Sequence, residues 1–383
     1  MLSLSNHHCT AVPEFGGKMY MNANKELLQS LQPLTEEELV YRRFHELRGN
    51  PESFHAYMDQ MEDYVREHRL LIFDYPFVEH PTLLREEDLY EHLSISRGSS
   101  VNVVRHLRYT PVFPHSHTFF TVLYVLRGRC GHTADGKDLP MERGDVFFLP
   151  PRVTQTIEVF DDSLVLNLHI RRDTFDDVFF STLRYNNILS DFFMSSLYSQ
   201  KPPSGILFRT GSDEAIEDLF LEMYREVLLD DAYSWRLLNN LVSLLFAKLL
   251  RGYEKQAVFT GLSGITPANS GRLRILSYIT DCYRTVTLGE VASHFSYSVP
   301  HCSRMIREET GMGFVAFVRR IRMNHASALL IHTRSSIAEI AYRTGYENPE
   351  SFIRAFRKVY GIPPSAFRKQ GQALQSPEKP NSP

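Results

Sequence analysis

Two histidines stand two residues apart in Pro114-His115-Ser116-His117. On an extended strand, residues i and i+2 project to one face, so both imidazoles would meet whatever lies against it. Such a pair can begin a metal site, hydrogen-bond a small polar molecule, or be satisfied structurally by neighbouring backbone. A second chemistry sits nearer the end of the chain. Arg304 and Arg354 occupy matching places in two similar segments. A guanidinium on an exposed helix can grip guanine O6 and N7 in a duplex groove, or a phosphate.

The elements that would carry these arginines are legible. Ser336 with Glu339 is a capping box opening a helix that turns Ile337, Ile340 and Ala341 to one face. Gly345 supplies a turn, Asn348 an N-cap, and Pro349 the first helical position. The next helix puts Phe352, Ala355, Phe356 and Val359 inward, leaving Glu350, Ser351, Ile353, Arg354, Arg357 and Lys358 on the surface. The pattern occurs twice. Thr287 with Glu290 is a second capping box, followed inward by Leu288, Val291 and Ala292. Ser298 then caps a helix with Pro300 in its first turn, and Gly311 ends it as Gly361 ends the other. Two helices around a tight turn, the second amphipathic and basic, outline a helix-turn-helix. Charge follows the same division. Residues 271–383 carry 16 Lys/Arg against 8 Asp/Glu, and the remainder 26 against 37. A cationic segment on an anionic body is expected if that segment alone meets a polyanion.

Residues 272–370 resemble the DNA-binding domain of AraC/XylS-type transcriptional regulators. The resemblance rests on S-R-M-I-R-E-E-T-G at 303–311 and G-Y-E-N-P-E-S-F-I-R-A-F-R-K-V-Y-G-I-P-P-S-A-F-R at 345–368. It implies two recognition helices placed by one chain in successive major-groove turns. It would put Pro300, Ser303 and Arg304 at base edges in the first unit, with His301 beside them. In the second it would put Glu350, Ser351 and Arg354 there, next to Pro349, with Arg307 and Arg357 nearer phosphates. Pro300 stands where the family often has a larger or polar residue, and Cys302 where leucine commonly packs. The first unit is therefore expected to read bases less strongly.

The histidine pair falls within short β-rich runs, 101–109, 119–126, 146–149 and 164–170, punctuated by turns at Gly128, Asp135-Gly136 and Gly144. P-H-S-H at 114–117, Y-V-L-R-G at 124–128 and G-D-V-F-F-L-P-P at 144–151 look like the cupin domain of the same regulators. The cupin metal pattern would want a glutamate near 121 and a histidine near 155. Thr121 and Gln155 stand there instead, poor replacements for a carboxylate and an imidazole. The expectation is no metal and no cofactor, with His115, His117, Thr121 and Gln155 lining an effector site. A structural role for the histidines remains the competing reading.

The expected fold class is multidomain α+β: a helical extension over 1–70, a cupin-like β-barrel over 71–172 and a helical region over 173–260. A flexible linker at 261–271, an all-α double helix-turn-helix domain at 272–370 and a disordered tail at 371–383 complete it. Phe54, Tyr57, Met58, Met61 and Tyr64 form a helical stripe in the extension, and Leu237, Leu238, Leu241, Val242, Leu245, Phe246 and Leu249 a wide apolar arc in the region after the barrel. The resemblance favours a homodimer contact there or on the barrel. With 43% apolar and 23% charged residues the composition is that of a globular protein, and no run approaches a membrane span. Met1–Tyr20 lacks a signal-peptide pattern and Cys9, Cys130, Cys282 and Cys302 are scattered, so a reduced, cytoplasmic setting is expected. The function expected is a sequence-specific, double-stranded-DNA-binding regulator, an activator working with RNA polymerase, controlled by a small effector such as a sugar. The rivals are a metal-dependent cupin enzyme and a DNA-binding dimer that senses nothing.

Overall fold

The computed structural model of the chain describes residues 20–72, 83–84, 101–171, 187–261 and 267–375. Three helices lead: α1 (Tyr20–Leu31), α2 (Glu36–Leu47) and α3 (Pro51–Glu67). The Thr35–Glu38 capping box forms, and Asn50 caps α3. Val40, Tyr41, Phe44, Met58 and Val65 close a small core with Leu70 and Ile72. The hydroxyl of Tyr41 accepts from the Leu71 N–H at 2.9 Å.

The strands follow as β1 (Leu83–Leu84), β2 (Val101–Arg105), β3 (Ser116–His117), β4 (Phe120–Arg127), β5 (Arg129–Ala134), β6 (Lys137–Asp138), β7 (Met141–Glu142), β8 (Asp145–Leu149), β9 (Gln155–Glu158) and β10 (Leu164–Ile170). After α4 (Ile188–Tyr198) come β11 (Gly205–Arg209), α5 (Glu214–Leu229), α6 (Ser234–Tyr253) and β12 (Val258–Thr260). One sheet runs β12-β11-β8-β4-β10-β2; a second runs β6-β5-β7 with β9 on β5; β1 and β3 pair in parallel. The stretch that reads as wholly helical over 173–260 thus supplies two strands of the large sheet. Both are too short to show a period. Gly205 is required there, because a Cβ would lie 2.1 Å from the ring of Phe147 on β8.

Alternation sorts the large sheet into two faces. Phe120, Val122, Tyr124, Phe148, Leu166 and Leu168 face the helices. Tyr124 stacks on Phe220 of α5 at 4.1 Å, and Phe193 of α4 meets Phe120 edge-on at 5.1 Å. Full burial of each such ring contributes roughly 1.5–3 kcal/mol. The other face, with Leu123, Val125, Phe147, Leu149, Val165 and Leu207, closes against Cys130, Met141 and Ile157 of the second sheet.

The C-terminal region is helical throughout: α7 (Pro267–Asp281), α8 (Leu288–His294), α9 (Val299–Thr310), α10 (Phe314–His332), α11 (Ile337–Arg343), α12 (Pro349–Tyr360) and α13 (Pro364–Gln375). Helix α7 begins inside the stretch that reads as linker, with Gly271 in its second turn, and α13 continues past residue 370. Residues 376–383, and the first nineteen residues with Cys9, lie outside the described ones. No helix among the described residues is long and apolar enough to cross a membrane.

Candidate nucleic-acid interface and sensor interior

Both helix-turn-helix units form where the duplicated pattern places them. The capping boxes at Thr287 and Ser336 are complete, and Ser298 and Asn348 cap the second helices. Each turn passes through a left-handed residue nine positions after its capping box. Gly345 takes φ +83° in the second unit, whereas Ser296 takes +56° in the first. A serine in that role gives little signal in a sequence, which is why only one of the two turns was legible.

Val291, Ala292, Cys302 and Ile306 bury the first unit's inner faces, and Ile340, Ala341, Phe352 and Phe356 the second's. Cys302 therefore fills an apolar core position. Val359 departs from its expected inward place and is 47% exposed, being near the end of α12 and past the core contacts of Phe356. On the outer faces Pro300, Arg304, Arg307, Glu350, Arg354 and Arg357 are exposed, and His301, Ser303, Pro349 and Ser351 half-buried. Arg304 Nη2 lies 2.9 Å from His301 Nδ1, and Arg354 Nη2 is 3.4 Å from the Ser351 hydroxyl. Both guanidiniums are therefore steered toward their helix N-termini, the end that a recognition helix presents to base edges.

The expected effector residues come together inside the barrel. His115 bridges Gln155 through backbone bonds in both directions, His115 N–H to Gln155 O at 3.0 Å and the reverse at 2.8 Å. The Gln155 side chain is buried; its Nε2 is 3.3 Å from His115 Nε2 and its Oε1 3.1 Å from His132 Nε2. With His115 Nδ1–H donating to Phe113 O, Nε2 is left to accept, and His132 must donate from Nε2. Thr121 Oγ1 lies 2.7 Å from His117 Nδ1. His117 stacks on Phe119 and sits edge-on to His169 at 5.7 Å.

Four further residues complete this end of the interior, and the sequence reading missed them: Asn102, His132, Asn167 and His169. The signal was present in β10, Leu-Val-Leu-Asn-Leu-His-Ile, where Asn167 and His169 sit two apart on the face opposite Leu166 and Leu168. Asn102 Nδ2, Asn167 Oδ1, His132 Nδ1 and His169 Nδ1 are buried polar atoms with no hydrogen-bond partner among the described residues. Burial lowers the pKa of all four histidines. His132 is held at about 4 despite its Gln155 bond, and His169 falls to about 3. His115 is lowered by burial against its Phe113 bond, and His117 goes well below its ordinary value. This end of the barrel is thus polar, neutral near pH 7 and rich in unused hydrogen-bonding capacity. Among the described residues no group of three His, Cys, Asp or Glu side chains could hold a metal ion.

Glu38 closes the capping box of α2, but its role does not end there. It is fully buried and reaches the barrel: Oε1 accepts from Arg108 N at 3.0 Å and Nε at 3.1 Å, and Oε2 from Arg108 Nη2 at 2.8 Å and Arg105 Nη2 at 3.2 Å. Arg108 also donates to Gln32 O and Pro33 O. An ionic knot therefore fastens the leading helices to the barrel. Helix α4 joins barrel to DNA-binding region. Its Phe192 and Phe193 pack on the sheet, while Tyr198 meets Phe317 of α10 edge-on at 5.1 Å. Just beyond it, Gln200 N–H donates to Glu309 O at 2.9 Å.

A β-sheet domain with a polar interior joined to paired helix-turn-helix units is the architecture of a one-chain DNA-binding regulator. Two family models match, described as an AraC-like ligand binding domain over residues 103–238 and a helix-turn-helix domain over 291–370. The chain is 25% identical over 267 residues to the uncharacterized HTH-type transcriptional regulator YfiF of Bacillus subtilis, covering 66% of this chain and 78% of that protein. It is 22% identical to the transcriptional activator RhaR of an Enterobacter species, covering 76% of this chain and 98% of RhaR. It is 38% identical over 109 residues to the regulatory protein PocR of Salmonella typhimurium, covering 28% and 36% of the two chains. The chain belongs to the AraC family of transcriptional regulators, which is a family of DNA-binding proteins and not of enzymes.

Proposed function

We propose that this regulator lays α9 and α12 in successive major-groove turns of its operator and that a small, uncharged polar effector held in the barrel controls its occupancy. The DNA half of the reading rests on one observation: two capped, amphipathic helices carry Arg304 and Arg354 exposed at equivalent positions of a cationic domain. Pro300, His301, Ser303 and Arg304, with Pro349, Glu350, Ser351 and Arg354, face the base edges; Arg307 and Arg357 lie toward phosphates. Arg354→Ala then costs about 1–3 kcal/mol at one operator position, while Arg357→Ala weakens all duplexes evenly and reduces the salt slope by about one. Equal losses for both variants on matched and scrambled duplexes would overturn these roles.

Four polar atoms around His115, His117, Thr121 and Gln155, unpartnered among the described residues, support the effector half. Unmet buried donors and acceptors cost about 1–3 kcal/mol each, which a hydroxyl-rich guest such as a sugar would recover. Neutral imidazoles and amides suit a molecule without net charge. A thermal-shift screen of sugars and other polar metabolites tests this, since a ligand of the native state raises its melting point. Hits that survive His169→Gln and Gln155→Ala together would place binding elsewhere. Regulation is read as activation with RNA polymerase, by analogy with RhaR, whose name describes it as an activator. A homodimer fits the stripe of Leu237, Leu241 and Leu244 on α6, where Leu237 and Leu244 are 44% and 45% exposed. Sedimentation of Leu237→Glu with Leu244→Glu as a monomer would support that contact; an unchanged dimer would reject it.

A further inference from the structure

The two reading units are held to one another by contacts that need no DNA. Their hydrophobic cores are separate. Within α10, Phe317, Val318 and Ile321 serve the first unit's core, and Met323, Ala326 and Leu330 the second's. Arg322 sits at the changeover. Its Nε donates to Tyr283 O at 2.9 Å and its Nη2 to Arg284 O at 2.8 Å, both in the loop between α7 and α8 of the first unit. The same guanidinium lies 5.6 Å from the ring centroid of Tyr346 in the second unit's turn. Tyr346 in turn meets Phe352 of α12 edge-on at 5.6 Å.

Two neighbours tighten this arrangement. Tyr283 stacks on His325 of α10 at 4.3 Å, with the rings 9° apart. Gly345 also closes on the same loop, so tightly that a Cβ there would lie 2.4 Å from Arg284 O. One run of contacts therefore leads from the first unit's loop, through Arg322 and Tyr346, to the base of the second recognition helix. A lysine would not hold the same geometry, since its flexible stem lacks the rigid planar fork that fixes two carbonyls beside a ring.

We propose that Arg322 is a positioning residue that fixes the separation and angle of α9 and α12, and thereby the half-site spacing that the protein accepts. The proposal rests on the two-helix reading of DNA recognition. One inserted base pair moves the second half-site by about 3.4 Å and turns it by about 35°, a change that a clamped pair of helices cannot follow. A loosely joined pair could, and would also lose the advantage of presenting its second helix already in place.

The test uses the full-length protein. Duplexes are selected from a randomised pool, and affinities are measured for the selected duplex, for versions with one base pair added or removed between half-sites, and for one with a half-site scrambled. Wild type should bind the respaced duplexes at least about tenfold more weakly. Arg322→Gln and Arg322→Lys should reduce that penalty to about threefold or less, with binding to the single half-site within about twofold of wild type. A wild-type spacing penalty in either variant overturns the proposal. So does a loss on the single half-site as large as that on the full site, which would mark a merely structural role. Spin labels at Glu308→Cys and Lys358→Cys give an independent reading without DNA: a narrow distance distribution in wild type, broadened in both Arg322 variants. Unchanged width overturns the latch. A wild type indifferent to spacing defeats the two-helix reading itself, and the distance distributions tell that failure from a failure of the latch.

Discussion

Removing the carboxylate of Glu38 is the sharpest test of how the leading helices serve the sensor. Glu38 is fully buried, Arg108 is 1% exposed, and four of the bonds to Glu38 come from Arg105 and Arg108. In Glu38→Ala the Arg108 guanidinium keeps its two carbonyl acceptors but loses its counter-charge. Breaking a buried pair from one side costs about 3–5 kcal/mol. Glu38→Gln keeps the shape but turns an N–H₂ toward donors, so about 1.5–3 kcal/mol is expected. The lone tryptophan, Trp235 at the start of α6, reports sensor unfolding in urea. With a slope of roughly 2 kcal/mol per molar, the Ala variant should shift the midpoint down by about 1.5–2.5 M. The pH dependence gives a second handle. Burial raises the Glu38 pKa, but the Arg108 bonds, the Thr35 N–H and Arg105 together hold it below 4.5. The stabilisation is therefore present above pH 4.5 and lost as pH falls through the folded-state value, where the gap between wild type and Glu38→Gln should close. A midpoint for Glu38→Ala within about 0.3 M of wild type would refute the knot as a structural anchor.

The buried imidazoles make a separate pH prediction. Histidines held neutral leave the unfolded chain binding more protons below pH 6.5, so stability should fall between pH 6.5 and about 4, by up to about 1.4 kcal/mol per pH unit for each. His132→Gln with His169→Gln should flatten that slope, measured by urea titration at each pH. Gly345→Ala forces a side chain onto Arg284 O at φ +83°, and should lower the DNA-binding region's stability by about 2 kcal/mol or more in thermal melts. Tyr198→Ala removes the ring between α4 and Phe317; limited proteolysis should then cut between barrel and helix-turn-helix units faster, with each part still folded.

Local signals made the DNA-binding region easy to read. Capping boxes, N-caps, terminal glycines and a helical period all act within a few residues, and the structure honours them from Thr287 to Gly361. The barrel was legible where β-rich runs stood between turn residues, as in Phe120–Arg127 and Leu164–Ile170. It was not at Gly205–Arg209, whose identity as a strand comes from pairing with β8 some sixty residues earlier. The interior followed the same division. His115 and His117 announced themselves by their spacing, but His132 and His169 reach that site only through sheet pairing, His169 lying opposite Thr121. Glu38 reads as a cap because its local partner is Thr35; nothing local shows that Arg105 and Arg108 converge on it. Arg322 likewise looks like one more cation of a basic helix until the α7–α8 loop is seen folded against it.

Operator recognition by this regulator requires α9 and α12 to read sequence together. Binding of the full-length protein to its selected duplex, against a scrambled duplex of equal length at physiological salt, addresses that directly. A preference of about a thousandfold or more, lowered by about 1–3 kcal/mol at a single base position in Arg354→Ala, is the predicted result. Equal affinity for selected and scrambled DNA, with or without Arg354, would contradict it.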